Sequence, residues 1–170
     1  MRSHGLTRTE LDNIEQELRK ARDMAYCPYS NFEVGCVIYI RGTDEKGSPK
    51  GPDSKFQDDD YLQDRSYIGA NIENGSFGAT MCAERVAIFK TLAAVDRQYA
   101  DSNNWTALAI VGDIQGPDKV ITPCGMCRQV MNEFIKDRIN FPILMYSPDF
   151  KEMKIANMDE LMPSPFELND

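Results

Sequence analysis

The fold is decided by the stretch from residue 82 to residue 147, in which two predicted helices alternate with two predicted strands. The helices are CAERVAIFKTLAAV (82–95) and PCGMCRQVMNEFI (123–135), and the strands are TALAIVG (106–112) and FPILMYS (141–147). The strands are short, continuous apolar runs, which is the pattern of strands buried on both faces. Alternation of this kind predicts a three-layer α/β domain.

The residues outside this stretch complete the predicted architecture. Residues 7–25 are expected to form an amphipathic helix, because Thr7 and Glu10 have the spacing of a capping box. The remaining predicted elements are strands at 34–40, 67–71 and 153–156 and a short helix at 158–161. We therefore expect one domain over residues 1–170, a three-layer α/β/α sandwich around a mixed, roughly five-stranded sheet.

The segment at 41–66, RGTDEKGSPKGPDSKFQDDDYLQDRS, is predicted to be an exposed surface-loop insertion. It holds three glycines, two prolines and twelve charged residues. Connections longer than about 15 residues are uncommon in compact domains. The alternative to a plain insertion is a lid or a partner-binding segment.

Composition excludes several classes of function. No apolar run reaches the ~20 residues of a membrane-spanning helix, and the N-terminus lacks a signal-peptide core, so we expect a soluble cytoplasmic protein. The net charge of −8 argues against a nucleic-acid polymer as partner. With five cysteines and one histidine, His4, a Ser-His-Asp triad or a His-rich metal site is nearly excluded. Catalysis must then come from carboxylates, thiols or a metal bound by thiolates.

Three cysteines have the spacing of a metal site. Cys124 and Cys127 form a C-x-x-C pair at the start of one predicted helix, and Cys82 begins another. Helix N-termini favour anionic thiolates, so the two helices can bring three such ligands together. Thiolates prefer Zn²⁺ to Mg²⁺ or Ca²⁺, and three protein ligands leave a fourth, catalytic position open.

Charged residues next to these cysteines suggest acid–base chemistry. Glu84 lies two residues after Cys82 and can point toward the open position, where a carboxylate can accept and pass on a proton. Arg85 and Arg128 directly follow Glu84 and Cys127, and could donate N–H groups to thiolate sulfur and withdraw excess negative charge. The alternative is that both arginines only begin exposed helix faces.

The combined pattern is more specific than its parts. C-x-E followed by P-C-x-x-C matches the signature of zinc nucleobase deaminases in its three-cysteine form. Two alternatives remain: a structural zinc site with Cys27 or Cys36 as fourth ligand, and a thiol site without metal. Otherwise Cys27 and Cys36 are interpreted as reduced thiols near the core.

The chain resembles the homotetrameric cytidine deaminases of pyrimidine salvage. The matching segments are CPYSNFEVG (27–35), ANIEN (70–74), CAER (82–85), PCGMCRQV (123–130) and LMPSPF (161–166). The resemblance implies hydrolysis of cytidine and deoxycytidine to uridine and deoxyuridine with release of ammonia. It also implies one zinc ion per subunit, with Cys82, Cys124 and Cys127 as ligands and Glu84 as proton shuttle.

The same resemblance implies a set of substrate contacts. A ribose-binding pair falls on Asn71 and Glu73, and an aromatic against the nucleoside falls on Phe32. Backbone N–H groups near Ala83 could hold the base carbonyl, since a helix N-terminus has free donors. Phe77 and Phe166 are expected to reach a neighbouring subunit's site, so the active unit is expected to be a tetramer. Without the resemblance, these positions would be interpreted as core or turn residues.

Three other functions fit parts of the sequence. A deaminase of a cytosine-containing antibiotic of the blasticidin type is disfavoured by the NIEN and CAER segments. A nucleic-acid-editing deaminase is disfavoured by the net charge and by Cys82 where histidine is expected. A structural zinc module that binds a protein partner would need a fourth ligand and would not need Glu84.

Overall fold

A five-stranded mixed sheet organises the chain. The computed structural model describes residues 5–42, 64–94, 105–114 and 119–166. Its strands are β1 (Val34–Ile40), β2 (Arg65–Ala70), β3 (Ala107–Gly112), β4 (Ile143–Tyr146) and β5 (Met153–Ala156), in the spatial order β2-β1-β3-β4-β5. β3 and β4 pair in parallel and the other neighbours are antiparallel.

Four helices cover the two faces of this sheet. They are α1 (Arg8–Asp23), α2 (Ala83–Ala94), α3 (Gly125–Phe134) and α4 (Met158–Leu161), with a 3₁₀ turn at Phe77–Ala79. The parallel pair β3 and β4 is joined through α3, as a parallel connection requires. Within the described ranges, no helix is both long and apolar enough to cross a lipid bilayer.

The core is divided by the sheet into two apolar layers. Along β1, Cys36 and Ile38 belong to the layer shared with α2 and α3, whereas Val37 and Tyr39 belong to the layer under α1. This alternation explains why β1 is an uninterrupted apolar run, since a strand covered on both faces needs no polar side. The predicted three-layer α/β/α sandwich is confirmed.

Local sequence signals explain most element boundaries. Thr7 caps α1, and its hydroxyl and backbone form the predicted capping box with Glu10. Helix α1 ends at Asp23 rather than at residue 25, because Met24 is already its C-terminal cap. In α3 the N-cap is Cys124, so Pro123 precedes the helix instead of beginning it.

The predicted loop at 41–66 is only partly open to description. Residues 43–63 lie outside the described residues, so the predicted insertion stays a prediction there. At its ends the prediction is wrong: β2 already begins at Arg65, and Gly42 is buried. Arg41 forms an ion pair with the buried carboxylate of Glu10, and Asp64 accepts hydrogen bonds from Tyr39 and from the Gly42 N–H. These contacts tie both stems of the segment to the folded domain.

Candidate metal centre and active site

Three cysteines converge where the first turns of α2 and α3 meet. Cys82 directly precedes α2, Cys124 caps α3, and Cys127 lies in the first turn of α3. Their sulfur atoms all lie within 4.8 Å of one another, and the sulfurs of Cys82 and Cys124 are 3.9 Å apart. Cys82 and Cys124 are 42 residues apart in sequence, yet together with Cys127 they form one group, as predicted.

The geometry of this group fits a tetrahedral zinc ion. A Zn–S bond of about 2.3 Å places two ligand sulfurs about 3.8 Å apart, close to the observed separation of Cys82 and Cys124. In the described part of the chain, this is the one group of three or more His, Cys, Asp or Glu ligands close enough to share a metal. Cys27 and Cys36 are free thiols outside it. The fourth ligand required for a structural zinc site is therefore not supplied by either of them.

The thiols of Cys82 and Cys127 differ in their pKa. A hydrogen bond from the Cys127 thiol, helped by a further bond from Arg85, lowers the pKa of Cys82 to about 5. The pKa of Cys127 is raised instead, because its proton is held by that bond and its sulfur is buried. Arg85 donates from Nη2 to the Cys82 sulfur at 3.7 Å and to the Thr80 carbonyl at 3.0 Å. Hydrogen bonds from Cys127 and Arg85 thus stabilise the thiolate of Cys82.

Arg128 donates to three acceptors outside the group of thiols. Its Nε donates to the Pro123 carbonyl at 2.7 Å, Nη1 to the Leu161 carbonyl at 2.7 Å, and Nη2 to the Thr122 hydroxyl at 3.1 Å. Because Nη1 and Nη2 each keep a second N–H, the predicted donation to a thiolate stays a prediction. Through its observed hydrogen bonds, Arg128 fastens the segment before α3 to the end of α4.

Glu84 lies in the first turn of α2 and is 4 % exposed. Burial raises the pKa of its carboxyl, the negative charge at Cys82 raises it further, and a bond from its own backbone N–H opposes both. A carboxyl whose pKa is moved toward neutrality can both accept and release a proton in one reaction cycle. Ala83, fully buried beside it, begins the helix, so its N–H has no acceptor within the helix.

A pocket of about 380 Å³ is connected to the group of thiols through Thr80 and Arg85. It is lined by Tyr29, Ser30, Glu73, Phe77 and Thr80. The Thr80 carbonyl accepts from Arg85, which also contacts the Cys82 sulfur, so one arginine joins the pocket wall to the thiolates. Tyr29, Ser30 and Thr80 were not predicted as site residues, although Tyr29 and Ser30 lie within the quoted CPYSNFEVG segment.

Glu73 connects two walls of this pocket. Its carboxylate accepts from the backbone N–H groups of Tyr29 and Ser30, at 2.9 and 3.2 Å, and from the Ser30 hydroxyl. The Ser30 hydroxyl is the main reason that the pKa of Glu73 lies below its ordinary value. The ring of Phe77 meets Tyr29 edge-on, with 6.1 Å between centroids. Glu73 thus presents an ionised acceptor at the pocket, beside an aromatic pair.

Asn71 and Phe32 are brought together through the main chain. The Asn71 side chain accepts from the Val34 N–H at 2.9 Å and donates to the Phe32 carbonyl at 2.8 Å. Asn71 is buried, whereas Phe32 is half-buried against the core layer under α2. The amide therefore holds the backbone that carries the aromatic ring, and retains one N–H and one lone pair for a ligand.

Phe77 and Phe166 are predicted site residues with strongly exposed side chains. Their exposed fractions are 77 % and 67 %. The Phe166 carbonyl accepts from the Gln129 side chain at 2.9 Å, which ties the C-terminal segment to α3. Both rings face outward from the described part of this single chain.

Comparison with known proteins identifies the family. Residues 9–142 match the model for the cytidine and deoxycytidylate deaminase zinc-binding region. This chain belongs to the cytidine and deoxycytidylate deaminase family. The match spans both cysteine motifs and Glu84, so the family resemblance and the zinc cofactor predicted from the sequence are confirmed.

Curated relatives extend over nearly the whole chain. A cytidine deaminase of Sporosarcina psychrophila is 32% identical over 161 residues, covering 95% of this chain and 94% of its own length. A cytidine deaminase of Halalkalibacterium halodurans is 33% identical over 156 residues, covering 91% and 92%. These deaminases therefore share the complete domain and not the motifs alone.

Solved structures of the family share the fold. The crystal structure of a cytidine deaminase from Burkholderia pseudomallei superposes with a TM-score of 0.67 at 30% identity, covering 95% of this chain and 100% of that one. A cytidine deaminase from Mycobacterium tuberculosis gives a TM-score of 0.60 at 26% identity, covering 94% and 98%. The three-layer deaminase fold predicted from the sequence is thus confirmed by experimental structures of relatives.

Proposed function

We propose that this chain is a zinc-dependent nucleoside deaminase that hydrolyses cytidine and deoxycytidine to uridine and deoxyuridine. The observation that carries the proposal is the group of three thiols at the start of α2 and α3, with buried Glu84 in the first turn of α2, two residues after Cys82. A structural zinc site has no use for such a buried carboxyl. Its raised pKa suits proton transfer.

The residues divide the reaction between them. Zinc held by Cys82, Cys124 and Cys127 would supply a water of lowered pKa as nucleophile. Glu84 takes up a proton from the attacking water and delivers it to N3 of the pyrimidine, which makes C4 electrophilic. The water oxygen forms a C–O bond at C4. Glu84 then moves the remaining proton of this new hydroxyl to the amine, the C4–N bond breaks as the C4 carbonyl forms, and ammonia leaves. In this mechanism the Ala83 N–H donates to the base carbonyl.

The pocket favours a free nucleoside over a nucleotide. Glu73 is its charged lining residue, and its lowered pKa keeps it ionised at neutral pH. A carboxylate accepts hydrogen bonds from sugar hydroxyls but repels a phosphate at the same place. Asn71 and Phe32 support the sugar and base sides as the resemblance implies. We therefore propose cytidine and deoxycytidine as substrates rather than their phosphates.

The assembly that we propose is a homotetramer with shared active sites. Phe77 and Phe166 are exposed in one chain, and large exposed apolar side chains also include Met24, Tyr26, Ile72, Met126 and Ile139. We propose that these side chains are buried where subunits meet, since large exposed apolar patches mark interaction sites. Five free thiols are typical of a protein in a reducing compartment. We therefore propose that the protein acts in the cytoplasm, and its proposed reaction belongs to pyrimidine salvage. Full activity in a monomer, measured by light scattering with activity in the same fractions, would refute the shared sites.

A zinc analysis combined with a substrate panel tests the function. Purified protein should contain one zinc per chain and should decrease the ultraviolet absorbance of cytidine and deoxycytidine, with ammonia released in equal amount. Deoxycytidine monophosphate, a blasticidin-type antibiotic and a cytosine-containing single-stranded oligonucleotide form the comparison arms. Turnover of any of these in preference to both nucleosides would replace the proposed substrate. Zinc without turnover of any would leave a structural zinc module.

A further inference from the structure

Gly69 in β2 is a point of close approach between α2 and the sheet. A Cβ atom at this position would lie 2.3 Å from the backbone N of Ala87 and 2.5 Å from the carbonyl oxygen of Ala83. Both are main-chain atoms of a helix and cannot rotate out of the way as a side chain could. Because residue 69 has no side chain, α2 can pack this close to the sheet.

The helix meets Gly69 with the turn that bears the catalytic residues. Ala83 and Ala87 are fully buried and four residues apart, so they lie on one face of α2. Ala83 lies between Cys82 and Glu84 in sequence. A change in the contact at Gly69 would thus act first on the backbone that carries a metal ligand and the proton shuttle.

The start of α2 is also fixed from a second side. The backbone of Met81 exchanges two hydrogen bonds with Ile72, each 2.9 Å long. An obstacle at Gly69 would push α2 outward while Met81 stays attached. The helix would then tilt about this attachment. Cys82, next to Met81, would be rotated, and Glu84, further along, would be displaced relative to α3, which carries Cys124 and Cys127.

The displacement would be large on the scale of a metal site. Ordinary van der Waals contact begins at 3.4 Å, so a methyl group at residue 69 requires a movement of about 1 Å. Metal–ligand distances tolerate about 0.2 Å. A misplacement of about 1 Å between reacting groups can lower turnover about 10²-fold.

We propose that Gly69 is a positioning residue of the active site, which sets the place of Cys82 and Glu84 relative to Cys124 and Cys127. The proposal rests on the proposed deaminase function. Gly69 touches no substrate and ligates no metal. It acts through the depth at which α2 packs on the sheet.

Gly35 in β1 provides a matched control on the opposite face of the sheet. A Cβ atom there would lie 2.6 Å from the backbone N of Arg22 and 2.9 Å from the carbonyl oxygen of Leu18. These atoms belong to α1, which carries none of the predicted site residues. Gly35→Ala should therefore impose a similar steric cost on packing without moving α2 against α3.

The experiment compares Gly69→Ala and Gly35→Ala at equal folded fraction, measured by circular dichroism. Zinc affinity is determined by competition with a chromogenic chelator, and the visible spectrum of the cobalt-loaded proteins reports tetrahedral thiolate coordination. For Gly69→Ala we expect zinc affinity about 10- to 100-fold weaker, an altered cobalt spectrum, and a loss in kcat larger than any change in KM. Gly35→Ala should keep the wild-type affinity, spectrum and kcat while its Tm falls.

Two further arrangements keep the test decisive. If Gly69→Ala purifies unfolded, Ala87→Val adds bulk on the same buried face of α2 and should weaken zinc binding in the same direction. Wild-type zinc affinity and cobalt spectrum in folded Gly69→Ala, or in Ala87→Val, would overturn the proposal, as would an equal loss of affinity in Gly35→Ala. If wild-type protein binds zinc but deaminates no nucleoside, the proposed function fails, and the metal affinities of the variants still decide the role of Gly69.

Discussion

Replacement of Glu84 by glutamine should abolish turnover while leaving the metal ligands in place. Glutamine has nearly the shape of glutamate, so the packing of a residue that is 4 % exposed is retained. It cannot accept and return a proton at the substrate. General acid–base catalysis contributes about 10²–10⁴-fold, and Glu84 serves both proton transfers, so we expect a loss near the upper end of that range.

The same substitution should make the metal-free protein more stable. Burial raises the pKa of Glu84, so the folded chain holds this proton more tightly than the unfolded chain does. Above the raised pKa the buried charge destabilises the fold, and glutamine removes that charge. The gain should be present at neutral pH and disappear as the pH falls below the unfolded value near 4.5. Each 1 kcal/mol gained raises Tm by about 2–4 °C in a domain of this size.

Glu10 provides a control with the opposite sign. It is also a buried carboxyl, and burial alone would raise its pKa, but hydrogen bonds from Arg41 and Thr7 outweigh burial and hold the pKa below 4.5. Its charge therefore stabilises the fold above pH 4.5, and that stability is lost as the pH falls through the lower folded pKa. Glu10→Gln should lower Tm at neutral pH and converge with wild type in acid, without loss of turnover in the folded fraction.

The measurements are thermal melts of metal-free protein at several pH values, zinc affinity by chelator competition, and cytidine turnover of the zinc-loaded protein. Wild-type turnover in Glu84→Gln would exclude Glu84 as proton shuttle. A lower Tm of metal-free Glu84→Gln at neutral pH would refute the electrostatic reasoning even if turnover is lost. Stabilisation by Glu10→Gln at neutral pH would show that the two buried carboxyls do not differ as described.

Three other substitutions test individual contacts. Asn71→Ala removes both hydrogen bonds to the 32–34 backbone and leaves the Val34 N–H buried without an acceptor. The free energy of unfolding, measured in urea, should therefore fall by about 2–3 kcal/mol. An unchanged unfolding midpoint would contradict this. Arg85→Leu removes the donor to Cys82, so the pKa of Cys82 rises and half-maximal zinc uptake should shift to higher pH in a chelator titration. Phe166→Ala should raise KM for cytidine about 5- to 100-fold through lost stacking, at unchanged zinc content; an unchanged KM would exclude a role in base binding.

Residues close in sequence made the secondary structure predictable. The capping pair Thr7 and Glu10 located α1, and the apolar run at 34–40 located β1 to the residue. Sheet order could not be obtained in the same way, because the paired residues of β1 and β3 that are closest in sequence, Tyr39 and Ala107, are 68 residues apart. The sequence predicts that β2 starts at residue 67, two residues after its observed start. The reason is that Arg65 and Ser66 are polar and resemble the charged segment before them.

The metal ligands were predictable for a similar reason. C-x-x-C and C-x-E each lie within one helical turn, so their spacing already implies a shared position. Arg128 shows where such reasoning ends: its neighbour in sequence is a ligand, yet its acceptors include the Leu161 carbonyl, supplied by a helix far along the chain. Only the packing of α4 beside α3 decides which acceptor Arg128 reaches.

The chain that continues β2 joins the separate parts of the site. Gly69 receives α2, and two residues on, Asn71 holds the backbone of Phe32 and Val34. Two further on, Glu73 binds the turn at 29–30. In extended chain, residues 69, 71 and 73 share one side, because side chains alternate. A shift of one residue here would displace Gly69 from α2, and would also displace the Asn71 amide and the Glu73 carboxylate from their partners. One short segment therefore holds the proposed proton shuttle, Glu84, and the proposed sugar acceptor, Glu73, in mutual register, although neither belongs to β2 itself.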